Sequence, residues 1–202
     1  MENETFSINS KIGVEETPEA YLREVTIGDR KPHNSTIHLV PYNPEWPSQF
    51  SQLAGRVRLA LGGKVLLLEH VGSTSIEGMP AKPIIDLVLV VADSTDEPSY
   101  VPQLEEHGFV MRLREPDWFQ HRMFKTPDIE GNLHVFSRGC EEVQRLLIFR
   151  NWLRANDDDR ILYENTKREL AARNWKYTQH YADAKTEVVE DILGRAANVD
   201  ES

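Results

Sequence analysis

Hydrophobic positions along the chain change their spacing from one segment to the next, and the changes mark the elements. Thr36-Ile37-His38-Leu39-Val40 alternates and reads as a short strand, the first of the fold proper. Asn43-Pro44 supplies an N-cap followed by proline at the first helical position. Trp46, Phe50, Leu53, Val57 and Leu61 then recur at helical spacing until Gly62-Gly63 stops them. Val65–Val71 is an apolar strand that runs into Gly72-Ser73-Thr74-Ser75. Beyond Pro80 and Pro83, Ile84–Val91 is apolar at both alternations except at Asp86, the pattern of a central strand buried on both faces. A helix over Val101–His107 ends at Gly108 and a strand begins at Phe109. Trp118–Lys125 and Leu133–Ser137 read as two antiparallel strands about the turn Pro127–Gly131.

From Glu141 to about Ala196 the pattern is helical. Val143, Leu146, Leu147, Arg150 and Leu153 mark one helix; Ile161, Tyr163, Leu170 and Trp175 a second, capped by Asp157-Asp158-Asp159; Val188, Val189, Ile192 and Leu193 a third. The order predicts one α/β (α+β) domain over residues 36–202, a mixed sheet flanked by helices with a C-terminal helical segment. Residues 1–35 are polar and broken by Pro18, Gly28 and Pro32, and read as a partly flexible extension.

Composition bounds the setting. The 202 residues suffice for one domain with a sizeable core, and 40% apolar with 28% charged residues is an ordinary globular profile. No run approaches the roughly 18 apolar residues of a membrane span, and the amino terminus has no apolar h-region, so neither a membrane segment nor a secretory signal is expected. The single cysteine, Cys140, excludes an internal disulfide and suits a reducing compartment, so a cytoplasmic location is expected. The net charge of −10 comes with no basic stripe, which argues against non-specific nucleic-acid binding. A small anionic ligand is compatible with that charge if it has its own local cradle.

Asp86 poses the first chemical question. A carboxylate in Ile84-Ile85-Asp86-Leu87-Val88-Leu89 must be paired or protonated, because burying it alone costs several kcal/mol. It either caps a nearby loop or belongs to a site. The site reading gains from Gly72-Ser73-Thr74-Ser75, where glycine allows close backbone approach and the following residues offer N–H and hydroxyl donors to a phosphate. Twelve residues lie between Ser73 and Asp86, and both flank buried strands.

Strand, Gly-Ser, a gap, then Asp in a second strand resembles the DNA polymerase beta-like nucleotidyltransferase fold. Glu69-His70-Val71-Gly72-Ser73-Thr74-Ser75-Ile76 with Ala81-Lys82-Pro83-Ile84-Ile85-Asp86 is similar to the GrpB family within it. Pro41-Tyr42-Asn43-Pro44-Glu45-Trp46, Leu133-His134-Val135, Phe149-Arg150-Asn151-Trp152-Leu153-Arg154, Tyr163 with Lys167, and Tyr181 with Lys185 extend the likeness over roughly residues 37–195. The resemblance implies a nucleotide, ATP or another nucleoside triphosphate, held with magnesium or another divalent metal and acting on a small-molecule acceptor. One departure is plain. Active members of the fold carry a second acid two residues after the first, on the same strand face, to hold two metal ions. Here that position is Val88, and the strand expected to supply a third acid offers His134.

His134 is therefore a candidate metal ligand beside Asp86, or a general base, against the plainer reading of a half-buried histidine bonded to a carbonyl. His70 is placed to contact phosphate or orient Asp86, or else to brace the loop. Arg122 and Lys125 fall on a strand expected near the pocket, where arginine suits bidentate phosphate contact. Lys82 precedes the Asp86 strand, and the resemblance sets Lys185 toward a triphosphate; both also fit surface positions. Arg150 reads as half of a buried ion pair. Three functions follow: a nucleotide- and metal-dependent transferase acting on a small molecule; a repurposed pocket for a non-nucleotidyl condensation or cyclisation using His134 and Arg122; and a non-catalytic assisting module, since some family members are joined to a coenzyme A biosynthetic kinase.

Overall fold

A computed structural model describes residues 16–29 and 32–199. One mixed sheet contains β1 (Leu67–Val71), β2 (Ile85–Val91), β3 (Val110–Glu115), β4 (His121–Lys125) and β5 (Gly131–Ser137), in the order β1-β2-β5-β4-β3. β2 and β5 run parallel at its centre, and the other neighbours are antiparallel. The helices are α1 (Glu19–Val25), α2 (Trp46–Leu61), α3 (Val101–Glu106), α4 (Glu141–Ala155), α5 (Asp157–Ala171), α6 (Thr178–Asp183) and α7 (Thr186–Val199).

All seven residues of β2 are buried, as the unbroken apolar run requires of a central strand. Ile85, Leu87, Leu89 and Val91 enter the main core with Trp46, Leu53 and Val57 of α2 and Leu104 of α3. Val88 and Val90, on the other face, meet Phe136 of β5 and Val143 and Leu146 of α4. Alternation assigns Asp86 to this second face, which the C-terminal helices cover. Phe149 of α4 packs on Tyr163 of α5, and Ile192 of α7 joins the same cluster.

Several elements differ from the sequence expectation, each for a physical reason. Residues 36–40 form no ladder: Val40 alone bridges Ala81, and the Ile37 N–H bonds to the Ala171 carbonyl. Their alternation reflects burial of Ile37 against Leu170, Trp175 and Tyr181 instead of a place in the sheet. The first long helix starts at Trp46, with Pro47 in its first turn; Asn43 accepts the Glu45 N–H in the turn before it. Trp118–Gln120 is the β3–β4 turn, with positive φ at Phe119 and Gln120, and it swings Trp118 back against His121 and Phe136. Trp175 lies beyond α5, five positions from Leu170 and off the helical period, and its N–H bonds to the Ser35 carbonyl. Asn156 takes the cap of α5, leaving Asp157–Asp159 in its first turn.

The extension is partly built into the fold. Leu22 and Val25 of α1 are buried, Val25 packs with Leu113 and Met123, and Thr26 bridges Leu113. The Thr17 N–H donates to the Asp183 carboxylate at 2.8 Å. Residues 1–15 and 30–31 of that segment lie outside the described residues.

Since β2 carries the main core, Leu87→Ala is expected to cost about 2–5 kcal/mol, whereas Leu59→Ala, at a position 76% exposed, should stay within about 0.5 kcal/mol. Urea denaturation of the two variants checks the difference.

Candidate functional site

The turn after β1 is shaped around Asp86. Gly72 has φ +70°, and a Cβ built there would lie 2.6 Å from Asp86 Oδ2, so the carboxylate occupies the space a side chain would need. Ser73–Ser75 form a tight 3-10 turn in which the Ser75 N–H and hydroxyl both donate to the Gly72 carbonyl, at 3.2 and 2.6 Å. Thr74 Oγ1 donates to the Ile84 carbonyl at 3.0 Å, which leaves it to accept from His70 Nε2, also at 3.0 Å. His70 stacks on Phe50 at 4.9 Å, and burial lowers its pKa to about 4. It is a neutral brace for the turn, tying β1 to the entry of β2.

Asp86 Oδ1 accepts from Asn132 Nδ2 at 2.8 Å, because the parallel register sets Asn132 of β5 beside it. His134 Nε2 stands 3.8 Å from the same oxygen, too far for a hydrogen bond. Its other nitrogen, Nδ1, is 3.0 Å from His121 Nε2, and His121 Nδ1 is 2.7 Å from Glu115 Oε2. The Tyr21 hydroxyl of α1 donates to Glu115 Oε1 at 3.2 Å. A continuous polar chain therefore runs from His134 through the sheet face to the amino-terminal helix. Burial pushes the Glu115 carboxyl up, but the bonds from His121 and Tyr21 hold it below its ordinary range. Burial pushes His121 down despite its carboxylate neighbour.

Two cavities meet at Asp86. The first, about 40 Å³, is lined by Ser73, Thr74, Asp86 and three lysines: Lys82, Lys167 and Lys185. Lys167 donates to the Pro80 carbonyl at 2.6 Å and lies over the Tyr163 ring; Lys185, in the turn between α6 and α7, lies 4.5 Å from the Tyr181 ring centre. Burial lowers Lys167 to about 7. It lowers Lys185 well below the ordinary lysine range, with repulsion from Lys167 and Lys82 adding to it. Two buried lysines with the half-buried Lys82 beside them favour an anion, which stabilises their charged forms. The second cavity, about 10 Å³, lies against Gly72, Trp118, His134 and Phe136. A wider one of about 640 Å³, against Arg154 and Arg160, reaches Ser75 but neither Asp86 nor the lysines.

Of the residues singled out in the sequence, Gly72, Ser73, Thr74, Asp86, Lys82, His134 and Lys185 line the two cavities, while Ser75 and His70 support the turn. Arg122 does not join them. Strand alternation turns it to the α3 face, where it donates to Glu97 Oε1 at 2.6 Å and to the Gln120 carbonyl. Lys125 shares a row with Asp86 and Asn132, but its ammonium is held by Glu130 at 2.9 Å. Arg150 pairs with Glu69 at 2.7 Å. The metal expectation meets a poor donor set: among the described residues no group of three or more His, Cys, Asp and Glu side chains is placed to hold an ion. Val88 is fully buried in the apolar cluster under α4, and Asp86 Oδ1 is already bonded to Asn132. These residues do not make a resident metal site.

Asn132, His121, Glu115 and Lys167 were not singled out as site residues. Lys167 had an available signal, since Tyr163, Lys167 and Leu170 share one helix face. The other three depend on strand register, which no local pattern encodes.

A family model described as GrpB protein matches residues 36–195. A UPF0157 protein of Halalkalibacterium halodurans is 57% identical over 87% of this chain and 90% of its own length. A UPF0157 protein of Streptomyces coelicolor is 39% identical over 84% of this chain and 95% of its own. Dephospho-CoA kinase of Mycobacterium tuberculosis is 29% identical over 84% of this chain but only 48% of that protein. Among solved structures, conserved protein GrpB from Enterococcus faecalis superposes with a TM-score of 0.68 at 26% identity, covering 82% of this chain and all of that one.

The lysine pocket fixes a pH dependence. Between pH 7 and about pH 9, below the ordinary tyrosine range, the unfolded chain holds a proton on Lys167 that the folded chain has released. Stability therefore rises with pH across this window. Urea midpoints should climb in the wild type and climb less in Lys167→Met.

Proposed function

Because the chain belongs to the GrpB family, we propose that it is a nucleotidyltransferase-fold enzyme that binds a nucleoside triphosphate by its phosphates and passes a group to a small-molecule acceptor. The observation that carries this reading is that Asp86 lies in the walls of both cavities, with the lysines on one side and His134 on the other. Phosphate oxygens entering the first cavity meet Lys82, Lys167 and Lys185 and the hydroxyl-bearing Ser73 and Thr74. The low dielectric of the site strengthens those contacts, and the bound anion restores the charge that burial has removed from the lysines. Charge on a transferring phosphoryl group is met by these fixed cations instead of a second metal ion. Magnesium accompanying ATP counts as part of that substrate.

A second reading draws on Val88. With an apolar residue at that position and a first cavity of only about 40 Å³, the lysines also suit the carboxylate of a small acid in a non-nucleotidyl condensation or cyclisation.

Calorimetric titration of ATP at pH 8, with and without Mg²⁺ and in buffers of different ionisation enthalpy, separates the two. The expected result is one site whose binding takes up protons, with Lys185→Ala weakening it roughly 10- to 100-fold, the scale of one charged hydrogen bond. No heat with ATP, together with binding of succinate, would turn the assignment to the second reading.

A further inference from the structure

We propose that the small cavity between Asp86 and His134 receives the reacting hydroxyl of a neutral alcohol acceptor, with His134 Nε2 as its proton acceptor and His121 and Glu115 as the residues that direct the hydrogen of the neutral ring to Nδ1. The identity of the donor rests on the reading above; the state of His134 does not.

Hydrogen-bond direction along the polar chain carries the argument. Glu115 takes a proton-donor bond from the Tyr21 hydroxyl on one oxygen and faces His121 Nδ1 at 2.7 Å with the other. An ionised carboxylate only accepts, so His121 Nδ1 carries the hydrogen. His121 is completely buried and its charge is disfavoured by burial, which leaves its Nε2 with a lone pair. That lone pair stands 3.0 Å from His134 Nδ1, so His134 donates from Nδ1, and in the neutral ring Nε2 is the nitrogen that keeps the lone pair. The near-parallel stacking of the two rings, 17° apart, and the cover of Phe136 on His121 keep this arrangement in register.

Bare Nε2 and Asp86 Oδ1 are then two acceptors 3.8 Å apart with no hydrogen between them. What fits there is a donor. The cavity wall also contains Trp118, whose indole N–H is buried and without a partner among the described residues. A hydroxyl both donates and accepts, whereas an ammonium only donates and a carboxylate only accepts. The cavity measures about 10 Å³, close to the room one water-sized group occupies, so it takes the reacting group and not the body of the acceptor.

The step balances as follows. The acceptor oxygen forms a bond to the phosphorus of the nucleotide, the bond from that phosphorus to pyrophosphate breaks with its electron pair on pyrophosphate, and the hydroxyl proton passes to His134 Nε2. Glu115 and His121 are positioning residues, since neither borders the cavity.

Nitrogen-15 spectra of the histidine rings in the full chain at pH 7 test the assignment without any nucleotide. His134 is expected as the Nδ1–H tautomer in the wild type, and Glu115→Gln is expected to shift His134 toward a mixture of tautomers while the amide spectrum stays folded. An Nε2–H or doubly protonated His134 in the wild type overturns the proposal. Titration with n-propanol should move the His134 Nε2 and Trp118 indole resonances, and propylammonium at the same concentration should not. Movement with propylammonium alone, or with neither probe, overturns the hydroxyl assignment. If instead ATP fails to bind while His134 shows the expected tautomer, the donor reading falls and the acceptor site stands.

Discussion

Asp86 sits in a strand whose seven residues are all buried, at the centre of the sheet, and the surroundings of its carboxylate account for much of the rest. An isolated charge there would cost several kcal/mol. Asn132 answers it from the neighbouring strand, Gly72 gives it space from the turn above, and Lys185 lines the same cavity. Each of these residues belongs to a different element, so the carboxylate can be accommodated only when β1, β2, β5 and the α6–α7 turn are all in place. The sheet face under α2 and α3 has no such demand and is filled with aliphatic and aromatic side chains.

The lysine pocket shows why whole-chain charge says little about a site. The protein carries a net charge of −10, yet Lys82, Lys167 and Lys185 converge on one cavity. Two of the three, Lys167 and Lys185, sit where water is scarce, so charge restored to them by a bound anion is little screened. Packing on Tyr163 and Tyr181 supplies a ring face to two of the ammonium groups, and the Pro80 carbonyl supplies an acceptor to one. Burial lowers the pKa values of Lys167 and Lys185, and an anion in the pocket would favour their charged forms.

Much of the fold was legible in the sequence because its signals are local. The helix from Trp46 to Leu61 and the run from Ile85 to Val91 are periodic over their whole lengths, and the GrpB-like strings placed Gly72, Ser73 and Asp86 in one site. What the sequence hid was parity and register. His121 and Arg122 are adjacent, but one faces the site and the other faces α3, and the turn at Trp118–Gln120 decides which. Asn132 reaches Asp86 across 46 positions of chain through a parallel pairing that no local pattern specifies. Lys167 entered only as part of the GrpB-like match with Tyr163, although its place on the Tyr163–Leu170 face of α5 buries it.

Valine at position 88 and the histidine chain are two sides of one arrangement. Val88 lies directly across from His134 in the parallel register, so on that side the imidazole meets an apolar side chain, while Asp86 Oδ1 stands 3.8 Å from its Nε2 and His121 bonds to its Nδ1. The amino-terminal helix completes the chain, because the Tyr21 hydroxyl satisfies the Glu115 oxygen that His121 does not. A segment that began as a polar extension in the sequence thus closes a buried network whose far end faces Asp86, and the sheet that carries the carboxylate also fixes the orientation of the imidazole beside it.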